Sequence, residues 1–540
     1  MYSQGNSGIQ KIFLKEGERH LSEHKEHAKA LEPGTLFLSL AVSVLSAIIC
    51  MQIICKIGVT PNTSIIGAII AMSLARIPHL KKFRSLDRQN LVQTMTSGAG
   101  FAAANCGLLA VGIIYVLGTP KCIIPMLIGS GIATIIGMHF VYKVYDSDLY
   151  PATGAWPPGV ATAQALIAGD EGGKKARRLL EGVVAGGIGS YFGLPMAGIG
   201  IVFIANIFAM SALGIGLVIR GYSGALFGLD LGKTYIPHGV MIGAGVVSLI
   251  QAIMIIHRKN PSSSRDGNSD LETTPIVTHE ETKHAIIVHT VLFGAGAIIL
   301  AILGGLWVEM SVGKFILWVV WVTFSAIVAP ILVGLSAMHS GWFPGFAISV
   351  IFLSIGLFMG FPGVPLALLA GYVASTGPCF ADMGYDLKTG WIIRGEGKDS
   401  AYELDGRRQQ AIAEIIGGFV AVVTVLFMMN IHFKLDMLPP VSRVFAATVQ
   451  AEANPAILRQ LLIWSVVGAV IQFIGGSRRA IGILFATGLL IKNPIYGIGV
   501  LAAVVCRLIW GTEWMEMREA GLIAGDGIYG FISAVARSFM

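Results

Sequence analysis

Charge is what this 540-residue chain has least of: 13% of residues are Asp, Glu, Lys or Arg, against 54% hydrophobic ones and a mean hydropathy of +0.73. That balance excludes an ordinary soluble domain. Cysteine is scarce too, with six scattered through apolar segments and no Cys-x-x-Cys pair, so the thiols read as free and a disulfide framework is excluded. No Walker-type Gly-Lys-Ser loop, zinc-protease helix or nucleophile elbow occurs. An ATP-driven pump and the familiar hydrolases are thereby set aside, the chain reads as no enzyme, and no cofactor is implied. Period-2 alternation is missing as well, which argues against an outer-membrane barrel. Met1–Leu31 is polar and of mixed charge rather than a basic leader with a short apolar core, so the N-terminus is expected to be retained in the cytosol. The net charge of +7 does not call for nucleic acid, because the basic residues sit in short loops as the positive-inside rule requires.

What is present is apolar helix. Runs such as Leu36–Cys55 and Ala285–Leu306 are apolar nearly all round, and at about 20 residues per crossing the chain has room for roughly 12–16 spans, short or broken ones included. The expected fold is an all-α polytopic membrane protein in the cell membrane. The expected organisation is a cytosolic segment over 1–33, a first bundle over 34–256, a polar linker over 257–284 and a second bundle over 285–540. Two halves of similar size with broken or re-entrant helices are a common transporter plan. Candidate spans include Val59–Ile77, Leu91–Leu117, Met196–Ile219, Pro365–Ser375 and Ala411–Met429.

The stretch "LYPATGAWPPGVATAQALIAGDEGGKKARR" (Leu149–Arg178) interrupts this pattern. The basic loop "HLKKFRSLDR" (His79–Arg88) is placed in the cytosol, and counting helices onward puts Tyr145–Asp148 there too. The basic cluster Lys174–Arg178 belongs on the same side, which requires Tyr150–Gly169 to enter the membrane and return. Pro151, Pro157 and Pro158 deny it a continuous helix, while the last two can start a short one. Broken backbone at that depth survives only against protein or a water-filled cavity.

Four segments are too rich in small and polar residues for lipid-facing wall: "NLVQTMTSGAGFAAANCG" (Asn90–Gly107), the Tyr150–Gly169 hairpin, Leu369–Gly390 and Gly475–Pro494. Close helix packing would explain any one of them; four together point to a pathway. Gln93, Thr94, Ser97 and Asn105 offer neutral hydrogen bonds to a carboxylate-bearing ligand beside Cys106. Thr153, Trp156 and Gln164 of the hairpin, and Tyr372 and Ser375 of the third segment, are further binding candidates. For proton coupling the candidates are Asp382, just after the helix-breaking Pro378, Asp386, and Glu414 at the start of a span. Asp386 has a plainer alternative in pairing with Lys388 in a loop, and Glu414 points either into the bundle or to its interface. Glu309, Asp230, His139, His238 and His339 are weaker suspects. His20, His24 and His27 have one-face spacing that suits a divalent metal, but the glutamates around them favour a solvated face, so no metal site is assigned.

These residues resemble the oligopeptide transporter family, which includes the yellow-stripe-like carriers of metal chelates. "NLVQTMTSGAGFAAANCG" is similar to its Asn-x-x-Gln-Thr-x-x-Ser-Ala-Gly segment, with Asn90, Gln93, Thr94 and Ser97 carried over, and "YPATGAWPPGVATAQALIAG" to its Pro-Ser-Gly-x-Ala-x-Ala segment. "DMGYDLKTGWIIRG" with "GRRQQ" is similar to the pattern of bacterial members, carrying over Asp386, Leu387, Lys388, Thr389, Gly390, Gln409 and Gln410. Gly98, Trp156-Pro157-Pro158 and Tyr385 depart from the family pattern. The resemblance implies a secondary active, proton-coupled transporter of peptides, modified peptides or metal–chelate complexes, with substrate, proton and bilayer as partners and a homodimer as the assembly considered. A channel or membrane-embedded enzyme is the rival, but no repeated charge ring or nucleophile–base pair supports it.

Overall fold

The computed structural model describes residues 27–58, 82–170, 174–231, 234–257, 275–340, 345–451, 455–476 and 479–519, with scattered positions among 60–72 and 521–533. Helix dominates them, and the only β feature among the described residues is an isolated bridge between Tyr145 and Tyr150. The protein is an all-α polytopic membrane protein. Nine helices of the described residues are long and apolar enough to cross a membrane, and four more are apolar but shorter.

Helix α1 (Pro33–Ile57) begins with proline, whose missing N–H costs nothing there, and stops at Gly58 with φ of 77°. Helix α2 (Leu86–Phe101) passes through a π-helical turn, Ala102–Leu108, into α3 (Leu109–Val116), so the expected Leu91–Leu117 span is one distorted crossing. After α4 (Ile123–Val144) the chain turns through the proline-rich stretch into α5 (Pro157–Asp170) and α6 (Lys174–Tyr191). The expected Met196–Ile219 span is instead two helices, α7 (Met196–Ile204) and α8 (Ile207–Phe227). The break falls at Asn206, whose side chain accepts from the Phe208 and Ala209 amides and so starts a new helix.

Next come α9 (Ile236–His257), α10 (His279–Leu303), α11 (Leu306–Glu309), α12 (Val312–Ser340), α13 (Gly345–Phe358), α14 (Gly363–Ala374), α15 (Gly377–Ile393), α16 (Ser400–Lys434), α17 (Pro440–Gln450), α18 (Pro455–Gly475), α19 (Ile481–Leu490) and α20 (Pro494–Trp510). Three sequence expectations shift here. The 257–284 linker ends early, because a capping box of Thr278 and Glu281 makes the polar His279–His284 the first turns of α10. Helix α16 runs 35 residues rather than the expected Ala411–Met429, which moves Glu414 from a span's start to its interior. Helix α17 was not foreseen at all, since a short amphipathic helix behind two prolines lacks the length of a span. Most of Val59–Ile77 lies outside the described residues, as do His20 and His24.

One end of the bundle gathers charged contacts. Glu32 meets Lys82 and Arg88, Lys29 meets Asp405, Tyr402 donates to Asp87, and Arg407 bonds Asp146. Both flanks of the proline-rich stretch lie at this end. Asp146 is held there by Arg407, and Leu166 packs with Leu86 and Ile393; Trp156 is the deep point, against Tyr385 two helical turns inward. Within the chain, then, the stretch runs inward from this end to Trp156 and comes back to it. Each large hydrophobic cluster draws on helices from both sides of the linker, so the halves interlock rather than packing as two separate bodies. Helix α9 runs against α18, α8 against α19 and α20, and α16 against α1, α2 and α4.

Candidate functional site

Helix α15 opens at Pro378, in its first turn, and places Asp382 and Asp386 one turn apart on a single face. Glu414 faces them from the middle of α16. One oxygen from each of the three carboxyls lies within 4.8 Å of the others, and all three side chains are buried. Close approach of α2 makes this possible: Gly98 lies against Glu414, where a Cβ would come within 2.5 Å of the Glu414 Cγ, and a Cβ on Gly417 would meet the Met95 carbonyl at 2.5 Å. Asp386 is thus mid-helix, and the loop pairing with Lys388 does not occur. Lys388 Nζ donates instead to the Ala152 carbonyl at 2.7 Å and stands over the Trp391 ring.

Hydroxyls and amides surround the carboxyls. Thr63 and Ser97 donate to the two oxygens of Asp382, each at 3.0 Å. Ser64 and Gln93 donate to Asp386 Oδ1, each at 2.6 Å, and Asn90 donates to Gln93 Oε1 at 2.9 Å. Gln410 Nε2 donates to Thr94 and to the Asp386 carbonyl, while its Oε1 accepts from Arg394 at 2.8 Å. Arg394 is in turn paired with buried Glu403, which also meets Arg407. Asp386 Oδ2 and both Glu414 oxygens are buried with no hydrogen-bond partner. Among the described residues no cationic side chain bonds any of the three carboxyls. Buried carboxylates that close repel, so the charge of the group is balanced by protons or by a bound cation rather than by a counter-ion from the chain. An all-oxygen donor set suits a proton or a small hard cation.

Of the expected ligand residues, Gln93, Thr94 and Ser97 reach this network, and the others do not. Asn105 bonds Thr60 and the Phe101 carbonyl. Thr153 and Gln164 are exposed. Trp156 is fully buried among Tyr145, Tyr150 and Tyr385, and Gly384 leaves room for its ring. Tyr372 donates to the Phe293 carbonyl, and Ser375 to the Gly371 and Cys106 carbonyls, which are helix-packing bonds. Cys106 is buried with its Sγ 3.3 Å from that of Cys379, and all six cysteines are free. Asp230 is exposed and pairs with Arg220, Glu309 is exposed, His139 and His289 meet at 3.0 Å, and His27 is buried near Asp87. The side chain of His339 lies outside the described residues. Sequence reasoning missed Thr63 and Ser64; the polar Asn62-Thr63-Ser64 inside an apolar run was the available signal.

A family profile for the OPT oligopeptide transporter protein matches the chain over residues 34–257 and 188–537, nearly its whole length. The chain belongs to the OPT oligopeptide transporter family. No curated protein matches it. As an OPT protein it is a membrane-embedded transporter of oligopeptides or related solutes, which agrees with the absence of enzyme motifs in its sequence. In this OPT chain the three carboxyls stand where α2, α15 and α16 meet, with Thr63 and Ser64 closing the group.

Proposed function

We propose that this OPT protein is a proton-coupled secondary transporter that moves oligopeptides, modified peptides or metal–chelate complexes across the cell membrane, with its N-terminal segment in the cytosol. The observation that carries the coupling is the buried group Asp382, Asp386 and Glu414, which has three acidic side chains, open acceptor positions and, among the described residues, no basic side chain bonded to it. A group of this kind exchanges protons whenever a conformational change wets it, and its charge then depends on the side to which it is open. The broken α14–α15 helix and the returning hairpin beside it are buried against protein, so they are the elements that can move without exposing unpaired backbone groups to lipid.

The test is uptake of tetraalanine and of an iron(III)–chelate into proteoliposomes under an imposed pH gradient. Accumulation above equilibrium that collapses with a protonophore supports the reading. Glu414→Gln, Asp382→Asn and Asp386→Asn are each expected to abolish accumulation while retaining substrate exchange. Accumulation that follows a sodium gradient and ignores pH, or that survives all three substitutions, refutes proton coupling at this group.

A further inference from the structure

A second polar feature lies at the other end of the bundle. There, a cavity of about 810 Å³ opens between the ends of α1 and α3, the C-terminal part of α8, the start of α9, the turn after α16, and α17 and the end of α19. That volume falls within the range of about 300–1,000 Å³ typical of small-ligand sites. Its cationic lining comes from three elements: Arg220 on α8, Arg443 on α17 and Lys492 just after α19. Two carboxylates answer them, and both stand at the rim. Asp230 accepts from Arg220 and Asp436 from Arg443, each at 2.8 Å, with the aspartate side chains 49% and 77% exposed.

Two buried polar atoms of the lining are left unanswered. Arg220 Nε and His238 Nδ1 have no hydrogen-bond partner, and His238 is 8% exposed. Buried donors and acceptors are normally satisfied, so a cavity that leaves both open has capacity for an occupant. Ion pairs of exposed rim aspartates exchange readily with another carboxylate, whereas arginine recognises a planar carboxylate with two parallel bonds. We infer that this cavity is a docking site for the carboxylate end of a solute, gripped by Arg220, Arg443 and Lys492, with Asp230 and Asp436 as displaceable covers. The inference goes beyond the transport reading, because it rests on the cavity and not on the buried acids.

Gln450 is exposed on the cavity lining and provides a probe position. In the full chain with its six cysteines replaced and Gln450→Cys introduced, the thiol is labelled with anionic sulfonatoethyl and cationic trimethylammonium-ethyl methanethiosulfonates. Relative to free cysteine, the rate ratio is expected to shift about five-fold or more toward the anionic reagent at low salt. Arg220→Gln with Arg443→Gln should remove the shift, and Asp436→Asn should enlarge it. Tetraalanine and citrate should slow labelling, with the C-terminal amide of tetraalanine about ten-fold less effective. A ratio like that of free cysteine, or one indifferent to the arginines, overturns the site, as does failure of both tetraalanine and citrate to protect. Protection by citrate with none by tetraalanine sustains the site and counts instead against peptide transport.

Discussion

Gly98 and Glu414 show how one side chain's absence holds another in place. With only hydrogen on its Cα, Gly98 lets α2 approach α16 until the Glu414 side chain fills the gap, so the acid is buried beside Asp382 and Asp386 instead of turning to an interface. Gly98→Ala puts a methyl within 2.5 Å of the Glu414 Cγ, and overpacking of this kind costs about 1–3 kcal/mol. We expect a lower melting temperature and, in the folded fraction, impaired gradient-driven accumulation with exchange retained; a variant equal to the parent in both measurements contradicts the account. Trp156 and Tyr385 give a second case. Their rings meet edge to face with centroids 6.1 Å apart, so each fixes the place of the other in the buried cluster. Trp156→Ala should cost about 3–5 kcal/mol, as for other buried aromatics, and Tyr385→Phe far less, since the Tyr385 hydroxyl has no partner to lose.

The hairpin that carries Trp156 is tied down at both flanks on the end where Glu32 sits. Single cysteines at Asp148 and Lys174 should therefore be labelled from the same membrane face, and labelling from opposite faces would exclude the hairpin. At that same end Glu32 links the start of α1 to the turn before α2. Lys82, and after it Arg88, hold its carboxyl down to about 2. A lowered value means that the tether is complete above the ordinary glutamate range near 4.5 and is lost as pH falls toward 2. For an exposed cluster the gain is about 0–1 kcal/mol. Glu32→Gln should then match the parent most closely at the lowest pH reached, and a melting-temperature difference that grows on acidification would contradict this. Much of this element level was legible in the sequence. Apolar runs marked most of the helices, and three prolines marked the turn between α4 and α5. The breaks were harder, because Asn206 caps a helix in a stretch whose hydropathy never falls, and α17 is too short and amphipathic to register as a span. At the site, Asp382, Asp386 and Glu414 could each be named from an acid in an apolar run. Their convergence could not, because it depends on how α15 packs against α16, nor could the contribution of Thr63 and Ser64, which pair with the aspartates across more than 300 residues and leave no trace in local pattern.

Across the whole molecule, the buried acids and the cationic cavity occupy different depths of one bundle. Glu414 is 20 residues from Lys434 along α16, about 30 Å of helix at about 1.5 Å per residue, and the cavity lies around the far end of that helix. Beside the cavity Gln52 and His432 meet at 3.4 Å across α1 and α16, and nearer the acids α2 carries its π-helical turn, so the path between them is not regularly helical throughout. If the cavity captures the solute and the acids set the driving force, the two functions must separate on mutation. Arg443→Gln should raise the half-saturating concentration about ten-fold, the scale of one lost charge-assisted bond, while leaving the number of protons moved per solute unchanged. Glu414→Gln should leave the half-saturating concentration for exchange near that of the parent and abolish accumulation against a gradient. Measuring exchange and gradient-driven uptake on the same vesicles reads both quantities at once. Loss of both functions from either single substitution would mean that capture and coupling share one site, and the distance between the two clusters would then have no mechanistic role.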